Sequence, residues 1–256
     1  MDVPVVRLFG GSHEPAPTLS HLLAELTRSE ILARARAGAI GLVPVGAFEQ
    51  HGAHLPVGTD AILAEEICMR AARRANADVL VAPPLWTGYS PHHLRFGATV
   101  SVQAGTFLQL LRDVVRTVRA WLPRLVLVNG HGGNRGPLIT LALEEGCLAI
   151  SYWDLVDPGL MSELFGCDLG SIGHAGQAET SLMLAAAPAL VGTPSEAFEP
   201  IRRENDSFLV PDMGASGVLG NPFTAASASG ERFIDAVTAA LADFLDHLPN
   251  PKEDAI

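Results

Sequence analysis

The chain has 256 residues, a formal net charge of −11, 48% hydrophobic and 18% charged residues. That length and apolar content suffice for one sizeable α/β core and exclude a disordered chain, which pairs low hydrophobicity with high charge. The acidic balance repels phosphate backbones and excludes nucleic acid as an expected partner.

No uncharged apolar run approaches the roughly 20 residues that span a bilayer. Residues 1–17 lack the basic start and apolar stretch of a secretion signal. Three cysteines, Cys68, Cys147 and Cys167, are scattered and odd in number, which fits free thiols in a reducing compartment. The expectation is a cytoplasmic protein without membrane contact.

Residues 1–18 carry Gly10, Gly11, Pro15 and Pro17 and are expected to form a loose N-terminal arm, with 19–256 as one domain. Leu19 to Ala37 has apolar residues near helical spacing, which predicts a helix with room for a break in its middle. Ala39 to Val45 is a short buried strand. Phe48 to Thr59 is a polar, Gly- and His-rich connection into a helix from Asp60 to Ala75, with Thr59 or Asp60 as its N-cap. A strand at 79–82 stops at Pro83-Pro84, and a long loop, rich in Pro, Gly, His and aromatics, runs to residue 98; such loops are usually functional or disordered.

Thr106 to Trp121 is the clearest amphipathic helix. A strand at 125–128 ends at Asn129-Gly130-His131, a helix follows at 137–145, and a fourth strand spans 148–152. Residues 155–175 have no regular pattern. Ala178 to Ala187 is a helix ended by Pro188, a loop spans about 190–228, and Glu231 to His247 closes the chain as a helix. Continuous apolar strands alternating with helices predict a single-domain α/β fold: a mainly parallel sheet flanked by helices on both faces.

Three segments carry chemistry. Glu49-Gln50-His51-Gly52-Ala53-His54, followed by Thr59-Asp60, leaves a strand at the carboxyl edge where open α/β sheets place their sites. Imidazole and carboxylate donors suit zinc, manganese or iron, and a carboxylate such as Asp60 has two oxygens with which to bridge two cations. Glu49 and His51, two residues apart, point the same way in extended backbone. Asn129-Gly130-His131-Gly132-Gly133-Asn134 follows another buried strand and belongs on the same edge. In His174-Ala175-Gly176-Gln177-Ala178-Glu179, the last residue falls in the first turn of a helix. Each segment alone has a plainer reading: a surface Glu, a hydrogen-bonded loop His, a first-turn carboxylate favoured by the helix dipole. Their coincidence at three strand-to-helix junctions favours a shared site.

GAFEQHGAHLPVGTD, LVNGHGGN and GHAGQAETSLML resemble the motifs of the creatininase (creatinine amidohydrolase) family. AELTRSEI and SGVLGNPFTAASASGERF are weaker echoes of that family's opening and closing segments, so the resemblance spans most of the chain in order. It implies a metal-dependent hydrolase with two divalent ions (Zn, Mn or Fe). Glu49 and His131 would hold one ion and His51 and Glu179 the other, with Asp60 bridging. It implies a water activated at the metals and His174 passing a proton to the leaving nitrogen. The resemblance implies that Trp153 contacts a small-molecule substrate, and His93 and Tyr89, on the long loop, are expected to contact it as well; a homo-oligomer, a hexamer above all, is implied as the assembly.

The departures bear on the substrate. SPHHLRFGATVS resembles a family loop reading S-x-E-H-x-x-F-P-G-T; His93 and Phe96 match, while His92 replaces the acid and Gly97-Ala98 replace Pro-Gly. Creatininase proper carries a glutamate two residues after the GH histidine, where this chain has Gly133, so creatinine itself is not the expected substrate. Gln177 replaces an acid common in the HAG-x-x-ET motif. His54 is expected to support the site without ligating, and Arg95 and Arg135 to be solvated. The expected reaction is hydrolysis of a non-peptide C–N amide bond, cyclic amides included. The alternatives are a deformylase, a C–C hydrolase of a sugar-like ring, or a metal-binding homologue without turnover. A dinucleotide-binding fold is disfavoured, since Gly130, Gly132 and Gly133 do not make GxGxxG.

Overall fold

A computed structural model describes residues 20–166, 172–195, 197–200 and 213–249. The expected arm and Cys167 lie outside them. Seven helices are described: α1 Arg28–Ala37, α2 Thr59–Arg74, α3 Ala104–Arg119, α4 Arg135–Glu145, α5 Pro158–Phe165, α6 Gln177–Ala186 and α7 Ser227–Asp246. The strands are β1 Ile40–Val45, β2 Val79–Val81, β3 Arg124–Asn129 and β4 Leu148–Ser151.

The four strands form one parallel sheet in the order β2-β1-β3-β4. Side chains alternate across it. Ile40, Leu42, Val126 and Val128 enter the core shared with α2, α5, α6 and α7. Val43, Val45, Leu125 and Leu127 enter the opposite core, with Phe107, Leu111 and Val115 of α3 and Leu138 and Leu141 of α4. Both faces are covered, so the strands read as unbroken apolar runs.

The chain leaves β1 in one direction, to β2, and returns across it to β3. The point where the winding reverses therefore lies between the carboxyl ends of β1 and β3, where open α/β sheets form their crevice. The Glu49 and His131 segments leave the sheet there.

Some boundaries differ from the expectations. The predicted first helix breaks before Thr27: a 3-10 turn occupies Leu23–Glu25, and α1 restarts on a capping box in which Thr27 and Glu30 satisfy each other's backbone N–H. Neither Thr59 nor Asp60 caps α2. Gly58 holds that position, Thr59 Oγ1 donates to the Pro56 carbonyl at 2.7 Å, and Asp60 is in the first turn with its side chain turned into the site. Residues expected to be irregular contain α5, which starts on Asp157 and Pro158; eight residues are too few for apolar periodicity to stand out. The long loop 83–98 holds a 3-10 turn at Pro91–Phe96. Cys68 and Cys147 are buried free thiols, and no described helix is long and apolar enough to cross a membrane.

Candidate metal centre

The three chemical segments converge. Asp60 stands in the first turn of α2 and Glu179 in the first turn of α6, so two helix N-termini direct partial positive charge at these carboxylates. Glu49 leaves β1 and His131 leaves β3. To let them meet, Gly46 lies so close to α2 that a Cβ would sit 2.4 Å from the Ala61 backbone nitrogen. Glu49, His51, Asp60, His131, His174 and Glu179 are all buried, as is His93.

Asp60 is the centre of the arrangement. Its Oδ1 is 3.5 Å from His51 Nε2 and its Oδ2 is 3.2 Å from His131 Nδ1. His51 Nε2 also faces Glu179 Oε2 at 3.9 Å, and His131 Nδ1 faces Glu49 Oε1 at 3.3 Å. Donor atoms of Glu49, His51 and Asp60 lie within 4.8 Å of one another, as do those of His51, His174 and Glu179.

The outer hydrogen bonds set the tautomers. His51 Nδ1 is 3.0 Å from the Glu49 carbonyl, so it carries the proton and leaves the Nε2 lone pair facing inward. His131 Nε2 lies 3.2 Å from the Tyr89 carbonyl and 3.1 Å from Ser90 Oγ, which leaves Nδ1 inward. Such partners fix a ligating ring's orientation. Glu49 Oε2, His51 Nε2 and Asp60 Oδ2 are buried without a hydrogen-bond partner. Buried polar atoms are normally satisfied, and orphaned carboxylate and imidazole atoms aimed at one point fit a divalent cation.

The charge balance agrees. Burial alone would lower the His51 pKa, but Asp60, Glu179 and Glu49 outweigh it and hold it at about 10. Burial likewise opposes protonation of His131, and Glu49 and Asp60 raise its pKa well above the ordinary value. Burial raises Glu179 to about 7 against the pull of His51. Asp60 is held low, the penalty of burial being exceeded by His51 and His131. The pocket thus demands positive charge, which protons or cations can supply.

His174 and His93 are different. Burial, followed by repulsion from His51, pushes His174 well below the ordinary value. Its Nε2–H donates to the Gln50 carbonyl at 2.7 Å, and its Nδ1 faces Glu49 Oε1 at 3.5 Å. His93, lowered to about 2 by burial and the neighbouring histidines, accepts from Gln50 Nε2 at 3.0 Å, and its Nε2 lies 3.2 Å from Glu49 Oε1. His93, expected to touch substrate from a loop, is buried within the cluster beside Glu49 and His174.

The other two expected substrate contacts, Trp153 and Tyr89, are anchored beside the His131 segment. Trp153 packs in the core against Tyr152 and Phe233, and its ring N–H donates to the Gly130 carbonyl at 3.3 Å. The ring of Tyr89 packs with the α3 and α4 core, so its backbone carbonyl meets the site. His54 donates to or accepts from Thr180 Oγ1 at 3.0 Å, one step behind Glu179. Arg135 pairs with Asp154 in solvent, and Arg95 lies over Phe96.

Gln50 and Ser90 escaped the sequence reading. Gln50 Nε2 donates to the Gly217 carbonyl at 2.9 Å besides meeting His93, and Ser90 braces His131. The signal for Gln50 was its place between Glu49 and His51. The signal for Ser90 was its match to the first position of the resembled loop, although its partner lies 41 residues away.

The family model "Creatininase: Creatinine amidohydrolase" matches residues 24–245. The chain belongs to the creatininase family. Creatinine amidohydrolase of Pseudomonas putida is 35% identical over 254 residues, covering 88% of this chain and 95% of that protein. The mycofactocin precursor peptide peptidase of Mycobacterium tuberculosis (strain H37Rv) is 34% identical over 215 residues, covering 77% and 80%. The solved structure "Creatininase Mn" superposes with a TM-score of 0.78 at 32% identity over 90% of this chain and all of that one. A creatininase variant of the Zn-Zn type gives 0.77 at 31% identity, over 91% and 100%. This chain is accordingly a creatininase-family hydrolase with the family's α/β fold and with residues grouped to bind metal.

Proposed function

We propose that the chain is a binuclear metal-dependent amidohydrolase that cleaves a non-peptide C–N amide bond, cyclic amides included, in a small molecule. The observation that carries this reading is Asp60, whose two carboxylate oxygens reach separately toward His51 and His131, each histidine also facing another buried carboxylate. Glu49 and His131 would hold one ion and His51 and Glu179 the second. Zinc or manganese is favoured, since both occur among the creatininase structures that superpose.

When bound, the two ions supply Lewis acidity and an activated water. The chain supplies the rest. His174 presents a neutral ring with Nδ1 inward and Nε2 tied to the Gln50 carbonyl, so it can take a proton from the attacking water and hand it to the leaving nitrogen. Gln50 fixes both His93 and the loop around Gly217. Burial keeps bulk water from screening these interactions.

A second reading is supported by the 34% identity to a precursor peptide peptidase: cleavage at a peptide end. One experiment addresses both. Zinc- or manganese-reconstituted protein is offered cyclic amides, formamides, cyclic ketones and short peptides, and metal content is measured in parallel. Two ions per chain and hydrolysis of the small cyclic amides are expected. In Asp60→Asn, metal content should fall by at least one ion and turnover by more than about 100-fold. Peptide cleavage alone would favour the second reading; a fully loaded protein that hydrolyses none of them would favour a binding role.

A further inference from the structure

Gly133 stands two residues beyond His131, and another residue presses into the space a side chain there would take. A Cβ at this position would lie 2.3 Å from the Tyr89 carbonyl oxygen, 2.5 Å from His131 Nε2 and 3.1 Å from His92 Cε1. The first contact is to backbone, which cannot simply swing away. The segment Tyr89–His92 therefore sits where it does only because residue 133 is glycine.

His92 comes with that segment. Its ring lies almost parallel to the His131 ring, at 7° and 5.8 Å between centroids. Donor atoms of Glu49, His92 and His131 all lie within 4.8 Å of one another. Metal–nitrogen bonds of about 2.0–2.1 Å place donor atoms roughly 3.3–4.2 Å apart, so a small inward shift of the Pro91–Phe96 turn closes the set. The side chain is half-buried, and position 92 is where the resembled family loop usually carries an acid.

We propose that His92 is a further protein ligand of the metal ion held by Glu49 and His131, delivered by the 91–96 turn into space that glycine at 133 leaves open. The proposal rests on the metallohydrolase reading above and extends its ligand set. A neutral imidazole leaves that ion more positive than a carboxylate donor would, and it favours zinc or iron over manganese, magnesium or calcium.

Cobalt(II) titration of the wild-type chain, His92→Phe and His92→Glu tests this, with chelator competition for affinity and visible absorption for coordination. His92→Phe keeps a flat ring and removes the donor; His92→Glu restores one. In His92→Phe one of the two ions should bind at least about 10-fold more weakly, with an altered absorption band, while His92→Glu should retain both ions. Thermal melts of the metal-free forms establish that each variant folds. The proposal is overturned if His92→Phe binds both ions as the wild type does with the same spectrum, and the hydrolase reading then stands. It is also overturned if affinity falls with an unchanged spectrum, or if His92→Glu loses the ion as His92→Phe does, since the ring's packing would then be the cause. A wild-type chain that binds no cobalt overturns both readings.

Discussion

His174 is held by two contacts of opposite purpose. Its backbone exchanges hydrogen bonds with Leu219, N to O at 2.9 Å and O to N at 2.8 Å, which fixes the main chain. Its ring bonds to Gln50, which fixes the tautomer. The next residue, Ala175, adopts a positive φ of 52°, a conformation that costs a non-glycine residue about 1 kcal/mol, and points its N–H at Glu179 Oε2 at 2.5 Å. The local strain sets the proposed base and a proposed ligand side by side. Replacing His174 by Ala should lower kcat by about 10²–10⁴-fold while metal content stays at the wild-type level. Equal loss of metal and activity would instead make His174 a ligand. Glu49, His51, Asp60, His131 and Glu179 were legible as candidates because each sits in a motif beyond the carboxyl end of a strand or in the first turn of a helix. Trp153 was not, because the same aromatic serves a core or a rim and only packing decides.

At the scale of elements, the site depends on how α6 meets α7. Gly230 lies in α7 where a Cβ would come within 1.9 Å of the Ser181 carbonyl oxygen, and Ser181 is two residues beyond Glu179 on α6. Any side chain there must push the helices apart. Gly230→Ala is expected to destabilise the protein by about 1–3 kcal/mol, the usual cost of overpacking, and to weaken metal binding by moving Glu179. A chemical denaturation curve and a metal titration on the same variant check both; wild-type stability would mean that the contact relaxes freely. Helix α3 shows the opposite case. Phe107, Leu111 and Val115 recur every four residues and are all buried, so this element could be read from periodicity alone. Helix α5 could not, being short and started by a local Asp-Pro cap.

For the whole molecule, the buried cluster links metal, pH and stability. His51 is held at about 10 against an ordinary 6.5, and Glu179 at about 7 against 4.5. Both values are raised, so the stability that protonation lends the metal-free fold is complete at low pH and is lost as pH climbs through those values. The melting temperature of chelated protein should fall from about pH 7 toward pH 10, while below the ordinary histidine range the depressed His93 and His174 act in the opposite sense. Metal replaces the protons, so the loaded protein should melt higher, with a flatter pH profile above neutrality. Identical profiles with and without metal would contradict a cation at this cluster. Strand β4 lies at the sheet edge beside exposed Ile139, Leu143 and Leu148. An apolar patch of this kind supports the proposed homo-oligomer, favoured as a hexamer; light scattering should give a mass several times that of one chain, and a monomer at micromolar concentration would sink it.

By itself the sequence determined the alternation of buried strands and covering helices, the family, and which carboxylates and imidazoles were candidates to meet. These are local properties: periodicity, turn chemistry and short motifs repeat within a few residues. Only the tertiary structure decided which atoms face one another. The reversal of winding between β1 and β3 brings Glu49 and His131 together, Gly133 admits the 89–92 segment, and Gln50 reaches His174 across 124 positions. Such contacts depend on how whole elements pack, and no window of the chain contains that information.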